Sequence, residues 1–293
     1  MIFLRETLLK LRSQIANDLE NNILPFWINL ADRSNGGFYG NVTNDLKIDR
    51  MAPKGCILNS RILWTYSRAF IEYGKQEYRD TADHAYQFLK RAFWDDVNSG
   101  LYWMVDFIGN PVNKKKHIYN IAFGIYGLSE YYRAFNDPDS LNMAIVLFKL
   151  IEKYSYDSRY GGYIDAFAED WKPISDMRLS PMDFNAPKTM NTHLHVLEAY
   201  TNLYRVWKND ELKKKLTDLI LLFIEKIIDP GSFHLKLFFG EKWESLSEVV
   251  SYGHDIECSW LLHEAAGVLG DDDLKERTAD IAVKMADKVV EEG

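Results

Sequence analysis

Two histidines in this sequence lie near a glutamate at helical spacing. In SYGHDIE, His254 and Glu257 are three positions apart, and in MNTHLHVLE the residues Asn191, His195 and Glu198 lie at i, i+4 and i+7. Residues at these spacings share one face of an α-helix. A carboxylate beside an imidazole favours its charged form and fixes the ring, and such a histidine can transfer a proton near neutral pH. The spacing therefore predicts groups suited to acid–base chemistry.

Two more polar clusters interrupt apolar segments. Arg61 lies within NSRILW, and KHIYNIAFGIYG contains His117, Tyr119 and Asn120. The planar fork of an arginine could polarise a sugar oxygen or stabilise an enediolate. All four clusters lie at the start of a predicted helix. If the helices close into a ring, starts on one rim converge, so we expect one shared site.

Simpler interpretations compete with this one. A single histidine on an apolar face is often a core or capping residue, and Arg61 could pack its stem at the edge of the core. His193 and His195 could bind a metal, but they point in different directions on a helix and lack a third ligand at suitable spacing, so we predict no metal site. Asp183 and Glu257 could be the carboxylate pair of a glycoside hydrolase, which would leave the histidines unexplained. We interpret the remaining histidines as structural or surface residues: His84, His234 and His263.

A repeat positions these clusters. Each copy has an aspartate, a few polar residues, a small pair and an aromatic-rich run, and the copies lie about 62–63 residues apart. The copies are DRSNGGFYGNV (32–42), DDVNSGLYWMV (95–105), DSRYGGYIDAF (157–167) and a degenerate DPGSFHLKLFF (229–239). Turn residues followed by alternating aromatics predict short β-hairpins. The glycines of GGF and GGY permit the turn and need no role in binding.

Between the hairpins, apolar residues recur at three and four positions, which predicts amphipathic helices. Two helices and one hairpin per repeat describe stacked helical hairpins, either as an open solenoid or as a closed (α/α) toroid. We predict an all-α fold in a single domain, residues 1–293. The nine predicted helices span residues 3–30, 57–74, 79–94, 117–135, 138–155, 189–208, 211–228, 252–268 and 271–291.

Composition limits the classes of partner. Apolar residues make up 47% of the 293 residues, enough for a sizeable core, and aromatics make up 14%, which suits a sugar pocket. A net charge of −8 argues against nucleic acid or an anionic membrane as partner. Cys56 and Cys258 lie in apolar stretches without metal-ligand spacing, and no signal peptide or membrane span is present. We predict a soluble, cytoplasmic monomer that binds a small sugar.

Four segments together resemble the cellobiose 2-epimerase branch of the N-acylglucosamine 2-epimerase superfamily. They are GCILNSRILW (55–64), KHIYNIAFGIYGLSEYY (116–132), KTMNTHLHVLEAYTNLYR (188–205) and SYGHDIECSWLL (251–262). Their order and spacing fit along the whole chain. The resemblance implies an (α/α)6 barrel that epimerises C2 of the reducing-end glucose of cellobiose or lactose without a cofactor.

The resemblance also implies roles for individual residues. His254 is one of two histidines that remove and return the C2 proton through a cis-enediol, with Glu257 as its neighbour. Arg61 lies beside the C1 and C2 oxygens, and Asp183 belongs to a loop that closes over the substrate. The sugar-contacting positions are Tyr119, Asn191 and His195, of which His195 aids ring opening.

One departure from the resemblance concerns length. Family members have twelve helices, so we expect about nine of twelve here, apolar faces left unpaired, and the second catalytic histidine beyond residue 293. We therefore expect these residues alone to be weakly active or inactive. Two alternatives stay open: a mannose or N-acylglucosamine 2-epimerase or isomerase of the same fold, and a non-catalytic carbohydrate-binding remnant.

Overall fold

The helices dominate the computed structural model, which describes residues 2–293, with side chains from Arg5 onward. π turns continue three of the helices: Leu19–Ile23 joins α1 to α2, Leu89–Phe93 extends α4, and Phe223–Ile227 extends α8. Counting each continuous rod once, the described residues form nine helices, as predicted. The bounds are α1 Ile2–Asp18, α2 Leu24–Asn29, α3 Cys56–Tyr73, α4 Gln76–Phe88, α5 Ile118–Phe135, α6 Pro138–Tyr154, α7 Met190–Val206, α8 Asp210–Leu222, α9 Tyr252–Leu269 and α10 Asp272–Glu292.

The rods form two layers. The inner layer contains α3, α5, α7 and α9, each packed against the next. An outer helix pairs with each of them: α4 with α3, α6 with α5, α8 with α7 and α10 with α9. The α1–α2 rod lies outside α3, where the Tyr66 hydroxyl donates to the Leu24 carbonyl. The inner helices run in the same direction, so their N-termini share one edge, which we call the rim.

A six-residue loop recurs on the rim. In all four copies, the backbone N–H of an aspartate donates to the carbonyl five positions later at 2.9 Å, and its side chain accepts from the N–H groups two and three positions on. The fourth copy, degenerate in sequence, keeps this geometry. The fourth position after the aspartate has a positive φ in every copy, which favours glycine: φ is 88° at Gly36 and 75° at Gly161. Ser99 and Phe233 adopt the same conformation, with φ of 62° and 61°. The four aspartates are Asp32, Asp95, Asp157 and Asp229.

Short antiparallel strands connect neighbouring repeats. The two residues before α3, α5 and α7 each pair with the arm of the following loop, with registers Lys54↔Val105, Lys116↔Phe167 and Lys188↔Phe239. The predicted hairpins are therefore minimal, and their outer arms pair between repeats. The strands are β1 Asn41–Val42, β2 Ile48–Asp49, β3 Lys54–Gly55, β4 Met104–Val105, β5 Pro111–Asn113, β6 Lys116–His117, β7 Ala166–Phe167, β8 Lys188–Thr189 and β9 Phe238–Phe239.

Buried lysines attach three of the loops to the inner helices. The Nζ–Oδ2 distances are 2.7 Å for Lys54–Asp32, 2.6 Å for Lys116–Asp95 and 2.7 Å for Lys188–Asp157. We call these pairs the lysine clamps. Burial raises the pKa of Asp32 and Asp95, but hydrogen bonds from the lysines and from backbone N–H groups outweigh it and lower each to about 2. Each clamp thus fixes the start of α3, α5 or α7.

The fourth repeat uses a different pair. No lysine precedes α9, where Val249, Val250 and Ser251 stand. Instead, His234, on the fourth loop, donates from Nδ1 to Asp255 Oδ2 at 2.8 Å, and Asp255 Oδ1 accepts the Leu235 N–H at 2.9 Å. We call this pair the histidine clamp.

Apolar side chains are exposed at both ends of the helical row, as expected. On α9, Ile256 and Trp260 are 42% and 53% exposed. On α1, Leu8, Leu11 and Ile15 form a similar stripe. Within residues 2–293, none of the helices is both long enough and apolar enough to cross a membrane.

Candidate active site

The rim brings the starts of α3, α5, α7 and α9 together. The start of α7 is fixed by Thr189, whose side chain accepts the Thr192 N–H and caps the helix. Beneath this cap, the buried Asp165 accepts from the Thr189 N–H and from the hydroxyls of Thr189 and Thr192 at 2.6–3.1 Å. Burial raises the pKa of Asp165 to about 7, although these three donors oppose the shift. The arrangement holds Asn191 and His195 in place.

His195 and Glu198 form a hydrogen-bonded pair on α7. His195 Nδ1 donates to Glu198 Oε2 at 2.8 Å, and the ring is almost fully buried. The Tyr119 ring meets His195 edge-on at 4.9 Å between centroids, and Phe123 lies 4.6 Å away. With Nδ1 bonded and two rings enclosing it, the imidazole has one fixed orientation.

Arg61 joins this group from α3. Its guanidinium carbon lies 4.4 Å from the Phe123 ring centroid, and the side chain is exposed. Burial raises the pKa of Tyr119, Arg61 opposes the shift, and the charges of Glu257 and Glu198 add to it. Residues of α3, α5, α7 and α9 therefore interact electrostatically around Tyr119.

A small cleft of about 130 Å³ opens at the starts of α7 and α9, and Arg61, Tyr119 and His195 are not among the residues that line it. Asp183, Asn191 and His254 line it together with Asp165 and Phe184. The side-chain oxygen of Asn191 is buried, and within the described residues it has no donor. A buried acceptor without a donor can accept a hydrogen bond from a ligand hydroxyl.

His254 differs from the expected arrangement. Its Nδ1 is hydrogen-bonded to Ser251 Oγ at 2.7 Å, and within the described residues it makes no hydrogen bond or ion pair with Glu257. The prediction that the side chains of His254 and Glu257 meet is therefore wrong. Side chains on a helix lean toward its N-terminus, so the ring lies over residue 251. The Ser251 hydroxyl bonds the ring rather than capping α9.

Asp183 belongs to a loop that borders the cleft. Its Oδ2 accepts the Ser180 N–H at 2.8 Å. The base of the loop is attached to the segment before α5, where Lys115 Nζ donates to the Arg178 carbonyl at 2.8 Å and His117 Nε2 donates to the Met177 carbonyl at 3.0 Å. Burial lowers the pKa of His117 to about 3, so the ring is neutral.

The rival metal ligand His193 has a structural role. Its Nδ1 donates to the Thr189 carbonyl at 2.7 Å, and its Nε2 accepts the Tyr163 N–H at 2.9 Å. Burial lowers its pKa to about 4. Both ring nitrogens are thus used by the backbone. Within the described residues, no three histidine, cysteine or acidic side chains are grouped so as to hold a metal ion.

Three residues of the site were missed from the sequence. Asp165 lies in the aromatic-rich run of the third repeat, where an aspartate breaks the alternation. Phe123 looked like an ordinary core residue of α5. Ser251 lies three positions before His254, and this spacing could have identified it.

The chain matches the model of the N-acylglucosamine 2-epimerase (GlcNAc 2-epimerase) family over residues 37–293. A cellobiose 2-epimerase of Bacteroides fragilis is 50% identical over 277 residues, 94% of this chain and 71% of that protein. One of Dictyoglomus turgidum is 44% identical over 282 residues, 96% and 72%. The solved cellobiose 2-epimerase of Bacillus thermoamylovorans superposes with a TM-score of 0.92 at 44% identity, covering 96% of this chain and 72% of that one. The fold is therefore the helical toroid of these enzymes, and the chain belongs to the N-acylglucosamine 2-epimerase family of sugar epimerases.

Proposed function

We propose that this protein epimerises C2 of the reducing-end glucose of β-1,4-linked disaccharides, converting cellobiose to glucosyl-mannose and lactose to epilactose. The observation that carries the proposal is that Arg61, Tyr119 and His195 are grouped around Phe123 on the rim, while His254 lines a cleft at the same rim with Asn191 and Asp183. The relatives at 44–50% identity support cellobiose as the substrate.

The proposed chemistry needs only proton transfer. After ring opening, Nε2 of His254 takes the proton from C2, the C–H electrons form a C1–C2 double bond, and the carbonyl oxygen becomes an enediolate. Rotation about C2–C3 presents the other face, where a protonated acid gives its proton to C2 as the C1 carbonyl forms again. His254 then loses its proton to water and the acid regains one from water. Hydrogen bonding of Nδ1 to Ser251 leaves Nε2 available for this step.

The other residues bind and orient the sugar in this proposal. Arg61 offers a fixed charge and two parallel donors to the C1 and C2 oxygens. His195, held by Glu198, assists ring opening. Tyr119 and Asn191 contact sugar hydroxyls, and Asp183 belongs to the loop that closes over the sugar. Glu257 contributes negative charge near Tyr119 without a direct bond.

Proton exchange and inversion are measured separately to test the proposal. The purified chain is incubated in deuterated water with cellobiose, lactose, mannose or N-acetylmannosamine, and C2 deuterium is followed by NMR while epimers are separated by chromatography. The proposal expects deuterium at C2 of cellobiose and lactose together with the C2 epimer, at the low rate expected of residues 1–293 alone. Turnover of only mannose or N-acetylmannosamine would identify the alternative sugar enzymes. Calorimetric binding of cellobiose with no C2 exchange would identify a carbohydrate-binding protein.

A further inference from the structure

We propose that His234 is a positioning residue for His254, which it holds in place through Asp255. This inference rests on the proposed function only for the role of His254. The contacts themselves are structural. Sequence reasoning placed His234 among structural or surface residues, and the structure places it on the fourth rim loop, facing the first turn of α9.

The histidine clamp reaches His254 through one residue. Asp255 is fully buried and follows His254 directly on α9. It bonds the fourth loop twice, through His234 Nδ1 at 2.8 Å and the Leu235 N–H at 2.9 Å, and its own N–H donates to the Ser251 carbonyl at 2.9 Å. Ser251 in turn bonds His254. Asp255 therefore links the fourth loop to Ser251 by a hydrogen bond and to His254 through the backbone of α9.

The second nitrogen of His234 joins another helix to the same point. Its Nε2 donates to Glu292 Oε2, at the end of α10, at 3.1 Å. Carboxylates only accept hydrogen bonds, so the ring makes both bonds only when both nitrogens carry protons. The groups facing the ring are thus Asp255 and the ring of Tyr252 on α9, and Glu292, with its partner Lys288, on α10. The two side chains that bond the ring, Asp255 and Glu292, are both carboxylates.

This clamp differs in kind from the other three. The other three clamps each pair an aspartate with a lysine, Lys54, Lys116 or Lys188. An imidazole changes charge within the physiological pH range. Of the four clamps described here, only the one beside His254 is made with an imidazole.

Two amide substitutions separate the two bonds. The side-chain amide of His234→Asn can replace Nδ1 and keep the bond to Asp255, whereas the longer His234→Gln can replace Nε2 and keep the bond to Glu292. Both are neutral, similar in polarity and free of the imidazole charge. Each variant is therefore the control for the other. The comparison needs no truncation of His234 that would leave a cavity beside Asp255.

Amide hydrogen exchange of the first turn of α9, read by mass spectrometry or NMR at about pH 6.5, tests the proposal. We expect His234→Gln to speed exchange in residues 252–258 by about tenfold or more, because a hydrogen bond to a buried carboxylate is lost. We expect His234→Asn to stay within about twofold of the unsubstituted protein. Equal effects of the two variants, or no effect of His234→Gln, would overturn the proposal.

A second readout connects the clamp to chemistry. Exchange of the C2 proton of cellobiose should fall by about tenfold in His234→Gln and by much less in His234→Asn. A loosened α9 with unchanged C2 exchange would overturn a positioning role in the reaction. If the unsubstituted protein exchanges no C2 proton, the proposed function fails, while the amide-exchange comparison still decides whether His234 holds α9.

Discussion

His195 Nδ1 lies 2.8 Å from Glu198 Oε2, one turn further along α7, and this pair joins the rim to the inner wall of the helical row. We predict that Glu198→Gln lowers kcat/KM for cellobiose by about 10- to 100-fold, because hydrogen bonds to charged groups contribute roughly 1.5–3 kcal/mol. The matched control is Glu264→Gln, which removes a carboxylate from the same wall where it pairs with Arg205. Equal losses in both variants would contradict a specific role for Glu198.

His254 should be required for exchange of the C2 proton. We predict that His254→Ala lowers the rate of deuterium incorporation at C2 by about a hundredfold or more, the usual contribution of an acid–base group. Ser251→Ala, which removes only the partner of Nδ1, should cause a smaller loss of about tenfold. His263→Ala, on the same helix but away from the rim, serves as the control. More than about a tenth of the rate left in His254→Ala would argue against proton transfer by this residue.

The lysine clamps should stabilise the fold as pairs. We predict that Lys116→Met lowers the free energy of unfolding by about 3–5 kcal/mol, because it leaves the Asp95 carboxylate buried without its cation. Adding Asp95→Asn should restore part of the loss, since no charge then remains buried. Urea denaturation measures both. Lys172→Met breaks an exposed ion pair with Asp170 and should cost under about 1 kcal/mol.

The histidine clamp predicts a pH dependence of stability. Burial lowers the pKa of His234, but hydrogen bonds to Asp255 and Glu292 outweigh it and raise the pKa above its ordinary value. A raised pKa in the folded state stabilises the protein fully below the ordinary pKa of about 6.5, and the stabilisation is lost as the pH rises through the folded-state value. The difference in free energy of unfolding between the unsubstituted protein and His234→Asn should thus be larger near pH 6 than near pH 8.5. A difference that grows with pH would contradict this assignment.

The helices and the repeat could be predicted because both are local patterns. Apolar residues at three- and four-residue spacing predicted all nine rods. An aspartate followed by turn residues and an aromatic run indicated even the degenerate fourth loop. The lysine clamps were missed because Lys188 and Asp157 are far apart in sequence, and nothing local marks a lysine as buried. The same limit hid the link between His234 and Asp255.

The site was predictable in residue type and less so in contacts. Helical spacing grouped His195 with Glu198, and the two residues are bonded. The same spacing predicted a contact between His254 and Glu257, but the ring bonds Ser251 instead. Both residues lie three positions from His254, so spacing alone cannot show which of them the ring contacts. Asp165 lies on a different element from the helix start that it holds, so only the folded chain shows its place in the site.

The parallel inner helices have an electrostatic consequence. Each of α3, α5, α7 and α9 is 17–18 residues long, and each directs its N-terminus toward the rim. A helix carries about half a positive charge at that end, from N–H groups without intrahelical partners. Four such ends side by side create a positive field above a protein whose net charge is −8. Negative charge that builds up on a sugar oxygen during loss of a carbon-bound proton would form within this field, before any side chain adds its own contribution.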